Sequence, residues 1–188
     1  MATRKKLSGR KLVVFDTETT GLPLHATAPL RKQPHIIEFA AAIYDAETKA
    51  LIREFTTLLN PGVQVSEEIT KITGIKPEDV TAYGVPTFRE ALADIAACFA
   101  ECHISVAHNH PFDSGMIRFE LERCGEKSFP WCEAQICTVE HYKPLFGRRP
   151  KLTEVHERVL GVKLAQTHRA LDDVNALAQI ALKDSVWL

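Results

Sequence analysis

Three short acidic segments hold the residue types and spacings that could do chemistry. The first is Asp16-Thr17-Glu18, directly after the apolar run Leu12-Val13-Val14-Phe15. On an extended strand, residues i and i+2 face the same side, so both carboxylates converge at the end of that strand. Like charges so placed repel, and burial sharpens the repulsion unless a cation sits between them. A D-x-E triplet is weak alone, since ordinary acidic usage yields roughly 0.5–1 in a chain of this length. A solvated strand end is the plain alternative. The unbroken apolar run before it and the Gly21 turn after it favour function.

The second segment is His108-Asn109-His110-Pro111-Phe112-Asp113, which follows the apolar strand Ile104-Ser105-Val106-Ala107 and opens a helix. An acid in the first helical turn, as at Asp113, also simply complements the helix macrodipole. The third is His168-Arg169-Ala170-Leu171-Asp172-Asp173 at the start of a last helix. The same alternative applies, and the helix face does not choose between Asp172 and Asp173. Carboxylates meeting at one sheet edge make a hard oxygen site for Mg²⁺ or Mn²⁺. Two such ions roughly 3.5–4 Å apart stabilise the attacking and leaving oxygens of a phosphoryl displacement. A nearby His, with an ordinary pKa near about 6.5, suits the role of general base.

The elements that must position these groups follow from pattern. Leu12–Phe15, Ile36–Tyr44 and Leu51–Leu59 read as strands, with a Pro-containing loop over 23–34 and a turn at Asn60-Pro61-Gly62. Thr87-Phe88-Arg89-Glu90 has the form of a capping box, and Phe88, Leu92, Ile95 and Phe99 then follow one helical face. Residues 104–107 form another strand and 112–123 a helix ending near Gly125. Pro150 suits the first position of a helix that Gly161 ends, and Leu171, Val174, Ala178 and Ala181 mark the last one. Early strands with short connections predict an antiparallel meander, and the later alternation predicts parallel additions. The fold class is α/β, a mixed sheet covered by helices.

The 188 residues, 45% apolar and 25% charged, fit one globular domain over 11–188 behind a basic arm at 1–10. The net charge of −1 gives no global attraction to nucleic acid, so local patches must supply it. Candidates are the arm (Arg4, Lys5, Lys6, Arg10, Lys11) and a loop at Arg148, Arg149 and Lys151. No apolar run approaches the roughly 18 residues of a membrane span, and no signal peptide is read at the N-terminus. Five cysteines, an odd count, predict free thiols in a reducing, cytoplasmic setting. Cys98/Cys102 at helical spacing and an unmatched Cys132/Cys137 do not make a zinc site. His108-Asn109-His110 spells the name of a metal-nuclease family, but that motif is longer and three adjacent letters carry little.

Taken jointly, these segments resemble the three motifs of the DEDD exonucleases. The carriers are Phe15-Asp16-Thr17-Glu18-Thr19-Thr20-Gly21, then Asn109 through Phe112-Asp113, then His168 with Asp173 five residues on. The His at that spacing is that of the DEDDh branch. The chain is similar to the proofreading epsilon subunits of bacterial DNA polymerase III and their free-standing relatives. Ile36-Ile37-Glu38-Phe39-Ala40-Ala41 matches their second strand, and Ile72-Thr73-Gly74-Ile75 the segment at the substrate end. The resemblance spans roughly residues 10–182 and implies a ribonuclease-H-like fold with a five-stranded sheet flanked by helices. It implies a 3′→5′ exonuclease releasing nucleoside 5′-monophosphates with two divalent ions, Mg²⁺ or Mn²⁺. Asp16, Glu18 and Asp173 would hold the ion carrying the attacking water. Asp16 would also bind the second, Asp113 would act nearby through water, and His168 would take the proton. The His-plus-five spacing selects Asp173 over Asp172. Leu22, Ile72, Thr73 and Phe112 match positions that pack on the last nucleotides, and Thr19 helps place the 3′-hydroxyl region. The chain ends at Leu188, without the long tail by which the polymerase subunit docks, so stable membership of that complex is not expected. Single-stranded DNA 3′ ends are the expected substrate. The alternatives are an RNA-trimming or oligoribonucleotide exonuclease and a catalytically silent binding module.

Overall fold

The computed structural model describes residues 9–25, 27–165 and 168–186. Residues 1–8, most of the basic arm, lie outside them. β1 (Lys11–Thr19) is the central strand of a five-stranded sheet of order β3-β2-β1-β4-β5. β2 (Ile36–Asp45) pairs antiparallel with β1 and with β3 (Leu51–Leu58). β4 (Ile104–Ala107) and β5 (Ala134–Cys137) add in parallel on the other side. The meander and the parallel additions are thus as the pattern predicted. Seven α-helices accompany the sheet among the described residues: α1 (Glu67–Thr73), α2 (Pro77–Thr81), α3 (Phe88–Ala100), α4 (His110–Cys124), α5 (Thr138–Phe146), α6 (Leu152–Leu160) and α7 (Ala170–Asp184).

Alternation along β1 divides the core in two. Leu12 and Val14 join Ala40, Ala42 and Tyr44 of β2 in a cluster closed by Val174, Leu177, Ala178 and Ala181 of α7. Val13 and Phe15 face the other way, onto Phe88, Ile95 and Phe99 of α3 and Met116 and Ile117 of α4. Phe15 and Phe99 meet edge to face at 5.0 Å, an arrangement that suits the ring quadrupoles. The alanines matter for placement. Ala40 and Ala42 on β2 and Ala178 and Ala181 on α7 are all fully buried, and α7 packs across β1 and β2. A third small cluster, Ile37, Val65, Ile75 and Val80, seats α1 and α2 beside β2.

Several boundaries differ from the sequence reading. β1 runs four residues past Phe15, so Asp16 and Glu18 lie within a paired strand. The ladder to β2 continues to Glu18 opposite Glu38 before its register shifts. α1, α2, β5 and α5 escape periodicity because they are short, and α5 carries Pro144 inside it. Pro150 precedes the Lys151 N-cap of α6 and is not the first helical residue. The capping box at Thr87 and Glu90 forms as expected, and Gly125 and Gly161 end their helices in left-handed conformation.

The close approach of α7 gives a direct test. Ala42→Leu inserts bulk between β2 and α7 and is expected to cost about 1–3 kcal/mol in urea unfolding, because a packed core resists extra methylenes. An unchanged midpoint would show that α7 does not rest on this position.

Candidate active site

Asp16 and Glu18 continue the strand face that holds Leu12 and Val14, and that face is the one α7 covers. Asp173 lies in the first turn of α7. The packing therefore delivers three carboxylates to one place. One ligand oxygen from each of Asp16, Glu18 and Asp173 lies within 4.8 Å of the other two. Asp173 is buried and the other two are half-buried. No other group of three acidic, His or Cys side chains comes this close among the described residues.

Asp113 arrives from the opposite face. α4 begins directly after β4, and its first turn brings Asp113 beside β1. There the buried Oδ1 accepts from the Thr17 amide (3.1 Å) and the Thr17 hydroxyl (2.8 Å). Asp113 is near enough to repel Asp16 and Glu18 yet is not part of the three-carboxylate group. The site lies in the last part of β1, past its parallel pairing with β4 and along its antiparallel pairing with β2, near the carboxyl-end position common for sites in open α/β sheets.

Crowding shows in the acid strengths. Burial, then Asp173, Glu38 and Asp113, pushes the Glu18 carboxyl up to about 8, with Arg169 opposing. Burial raises Asp113 to about 7 against the two Thr17 hydrogen bonds. Asp16 is raised well above the usual carboxylate range, first by burial and then by Asp113, Glu18, Asp173 and Glu38. Such a set fits a divalent cation: all donors are hard oxygens, and the repulsion among them is what a dication removes.

The remaining expected residues divide by exposure. Leu22 is 78% exposed and Ile72 48%, unusual for large apolar side chains. Phe112 is half-buried against the α3–α4 cluster. Thr19 is buried and donates to the Gly21 carbonyl at 2.8 Å, shaping the turn that presents Leu22. Thr73 differs from the expectation of a surface contact. It is buried, donates to Ile69 O and accepts from the Ile75 amide, so it serves the end of α1. His168 is exposed, with a left-handed backbone (φ 52°), two residues before α7 begins.

The other flagged motifs are structural. His110 is buried edge-on to Phe15 and bonds Ser105 Oγ at 2.9 Å; His108 bonds Thr138 Oγ1 at 2.9 Å and Pro150 O at 3.2 Å. Burial pushes both down to about 4. All five cysteines are free. The 148–151 loop holds its arginines in surface ion pairs. Arg148 pairs with Glu154, and Arg149 bonds Glu140 at 2.9 Å and Asn109 Oδ1 at 2.7 Å. Arg31 and Lys32 on the β1–β2 loop make no salt bridge among the described residues. Arg31 and Lys32, with Gly21, Leu22 and His35, line a cleft of about 260 Å³. Arg123 fixes this loop by donating to Leu30 O, Gln33 O and Pro34 O at 2.7–3.1 Å, and buried Glu120 holds both Arg123 and the Ile36 amide.

Sequence reasoning missed one feature. Glu38, buried on β2, accepts Arg169 Nε at 3.2 and 3.1 Å and the Ala170 amide at 2.9 Å. A single Glu in the otherwise apolar run Ile36–Ile43 was the available signal.

Crowded carboxylates make the metal-free protein pH-sensitive. Folded Glu18 and Asp113 keep protons that the unfolded chain has released, so stability falls as pH rises from about 4.5 through about 8. In chelator the melting temperature is expected to drop across that window. Asp16→Asn should raise it at the alkaline end, by about 2–4 °C per kcal/mol of relieved repulsion, and Mg²⁺ or Mn²⁺ should restore the wild type. A melting temperature that climbs with pH across this window would contradict the crowding.

Comparison with known proteins agrees with this geometry. Residues 13–181 match the exonuclease family of ribonuclease T type. The chain is 31% identical over 175 residues to the PolC-type DNA polymerase III of Caldanaerobacter subterraneus subsp. tengcongensis, covering 92% of this chain and 11% of that protein. It is 31% identical over 179 residues to the 3′-5′ exonuclease DinG of Bacillus subtilis, covering 94% of this chain and 18% of that protein. The chain thus spans between a tenth and a fifth of these relatives' length. Among solved structures, the nuclease domain of 3′hExo, a DEDDh family member bound to rAMP, superposes with a TM-score of 0.76 at 21% identity, covering 96% of each chain. No helix among the described residues is long and apolar enough to cross a membrane. With its sequence match over 13–181 and its fold in agreement, the chain belongs to the exonuclease family.

Proposed function

We propose that the chain removes nucleotides one at a time from the 3′ end of single-stranded DNA, releasing nucleoside 5′-monophosphates. The observation that carries this is the convergence of Asp16, Glu18 and Asp173 within 4.8 Å at the carboxyl end of β1. Asp16, Glu18 and Asp173 would hold one Mg²⁺ or Mn²⁺, and Asp16 a second, with Asp113 reaching it through water. When bound, two such ions stabilise the attacking and leaving oxygens of the displacement. The chain itself does the rest. Exposed Leu22 and Ile72, with Phe112, grip the terminal bases by apolar contact, which reads no sequence. Thr19 fixes the turn beneath Leu22. His168 accepts the proton of the attacking water on a ring nitrogen. Arg31 and Lys32, on the wall of the cleft, answer the need for cations beside a phosphate backbone.

DNA is favoured because the relatives above 30% identity include DNA polymerases by name. RNA is the second reading, favoured by rAMP in the 21%-identical neighbour. The chemistry is shared, and contacts to the 2′-hydroxyl decide. A silent binding module has no use for carboxylates clustered against phosphates, and nothing in the site supports it.

On 5′-labelled single strands with Mg²⁺ or Mn²⁺, a descending ladder is expected, with circular strands resistant and RNA slower. Cutting of circles at a comparable rate would overturn the end-specific reading. Asp16→Asn should lose activity while remaining folded, and near wild-type turnover in it would sink the site assignment. His168→Ala should lower kcat by about 10²–10⁴, the usual worth of a general base, with Kd for DNA in Ca²⁺ nearly unchanged. If binding collapses as far as turnover, His168 is a substrate clamp.

A further inference from the structure

The start of α7 is held from an unexpected direction. Its N-cap is Arg169, whose side chain makes no capping hydrogen bond. The cap comes from β2: Glu38 Oε2 accepts the Ala170 amide at 2.9 Å, the first of the helix's otherwise unpartnered donors. The same carboxylate takes Arg169 in a fork. Nε lies 3.2 and 3.1 Å from its two oxygens, and Nη2 lies 2.5 Å from Oε1. Glu38 is 3% exposed, whereas Arg169 is about half-exposed. One buried carboxylate therefore fixes both the backbone and the side chain of the two residues that follow His168.

Helix capping alone does not explain this choice. Ser, Thr or Asn at the cap would satisfy the same amide without adding charge. Glu38 instead stands directly opposite Glu18 in the β1–β2 register, adding a fifth carboxylate beside Asp16, Glu18, Asp113 and Asp173. Like charges facing across a strand pair are unfavourable. What the arrangement secures is location. Arg169 is tied to the strand position facing Glu18, and the residue before it is His168. That residue is held at φ 52°, a conformation that persists only where the surroundings enforce it.

We propose that Glu38 and Arg169 are positioning residues for His168: their fork pins the turn carrying the imidazole to the sheet beside Glu18, so that the base acts from a preset place. This rests on the reading of His168 as general base. The preset place would speed the proton transfer by orientation, and a loosened turn would lose kcat while leaving the grip on DNA intact.

The test is a double-mutant cycle on short single-stranded DNA with Mg²⁺, scored as kcat and KM separately, with thermal melts to establish that each variant is folded. Glu38→Gln is expected to lower kcat at least about tenfold with KM changed less than about twofold, and to have no further effect in the His168→Ala background. Arg169→Lys, which keeps the charge but loses the fork, should fall between wild type and Glu38→Gln. If Glu38→Gln does not fold, Arg169→Gln at the half-exposed end of the pair runs the same cycle. An equal loss of kcat with and without His168 would overturn the positioning role while leaving the base intact, as would a wild-type kcat in folded Glu38→Gln and Arg169→Gln. A His168→Ala enzyme with near wild-type kcat would remove the base reading, and the positioning role with it.

Discussion

Mutual repulsion among carboxylates at one end of β1 is the constraint to which the surrounding structure answers. Asp16, Glu18 and Asp173 have ligand oxygens within 4.8 Å of one another, and Asp113 and Glu38 add their charges close by. A surface strand or a frayed helix end would relax under that stress. Here Asp16 and Glu18 are on the central strand, paired with β2 along the sheet, and Asp173 is anchored by the apolar face of α7. The hydrophobic core is thus what keeps like charges together, and small side chains on both sides of the α7 contact let it do so.

Counter-charges are distributed to match. Arg169 spans Glu38 and eases the load on Glu18, while Thr17 offers two neutral donors to Asp113. The imidazoles near the site have different fates. His110 is buried and His108 half-buried; burial lowers the pKa of both, and both serve as hydrogen-bonding struts around β4. His168 alone of the three is exposed. Residue type therefore says little about role until burial is known.

Much of this was legible in the residues. The apolar run 12–15 and the period-2 acids after it specified a strand and a converging pair. The helical face at 88–99 and its capping box specified α3. Resemblance was needed to choose Asp173 over Asp172, because helical periodicity leaves both at the edge of the buried face. The short elements α1, α2, β5 and α5 were not legible: α1 and α2 hold at most about two turns, α5 is interrupted by Pro144, and β5 is four residues with a polar Gln135 inside it. Glu38 was hidden by its own context: a charge within an apolar strand gains meaning only when its partner, 131 residues on, is folded against it. The pairing of Arg148 and Arg149 was hidden for the same reason, as their acidic partners lie on α5 and α6.

The site has two mechanical halves. Its carboxylates are set in the interior of the sheet and against α7, whereas Leu22 and Ile72 project from a turn and a seven-residue helix outside the sheet. A change in the first half disturbs packing on both faces of the central strand. A change in the second alters only an exposed side chain. On the function proposed above, substitutions at Leu22 and Ile72 can therefore alter which end is held while the packing that sets the carboxylates stays untouched.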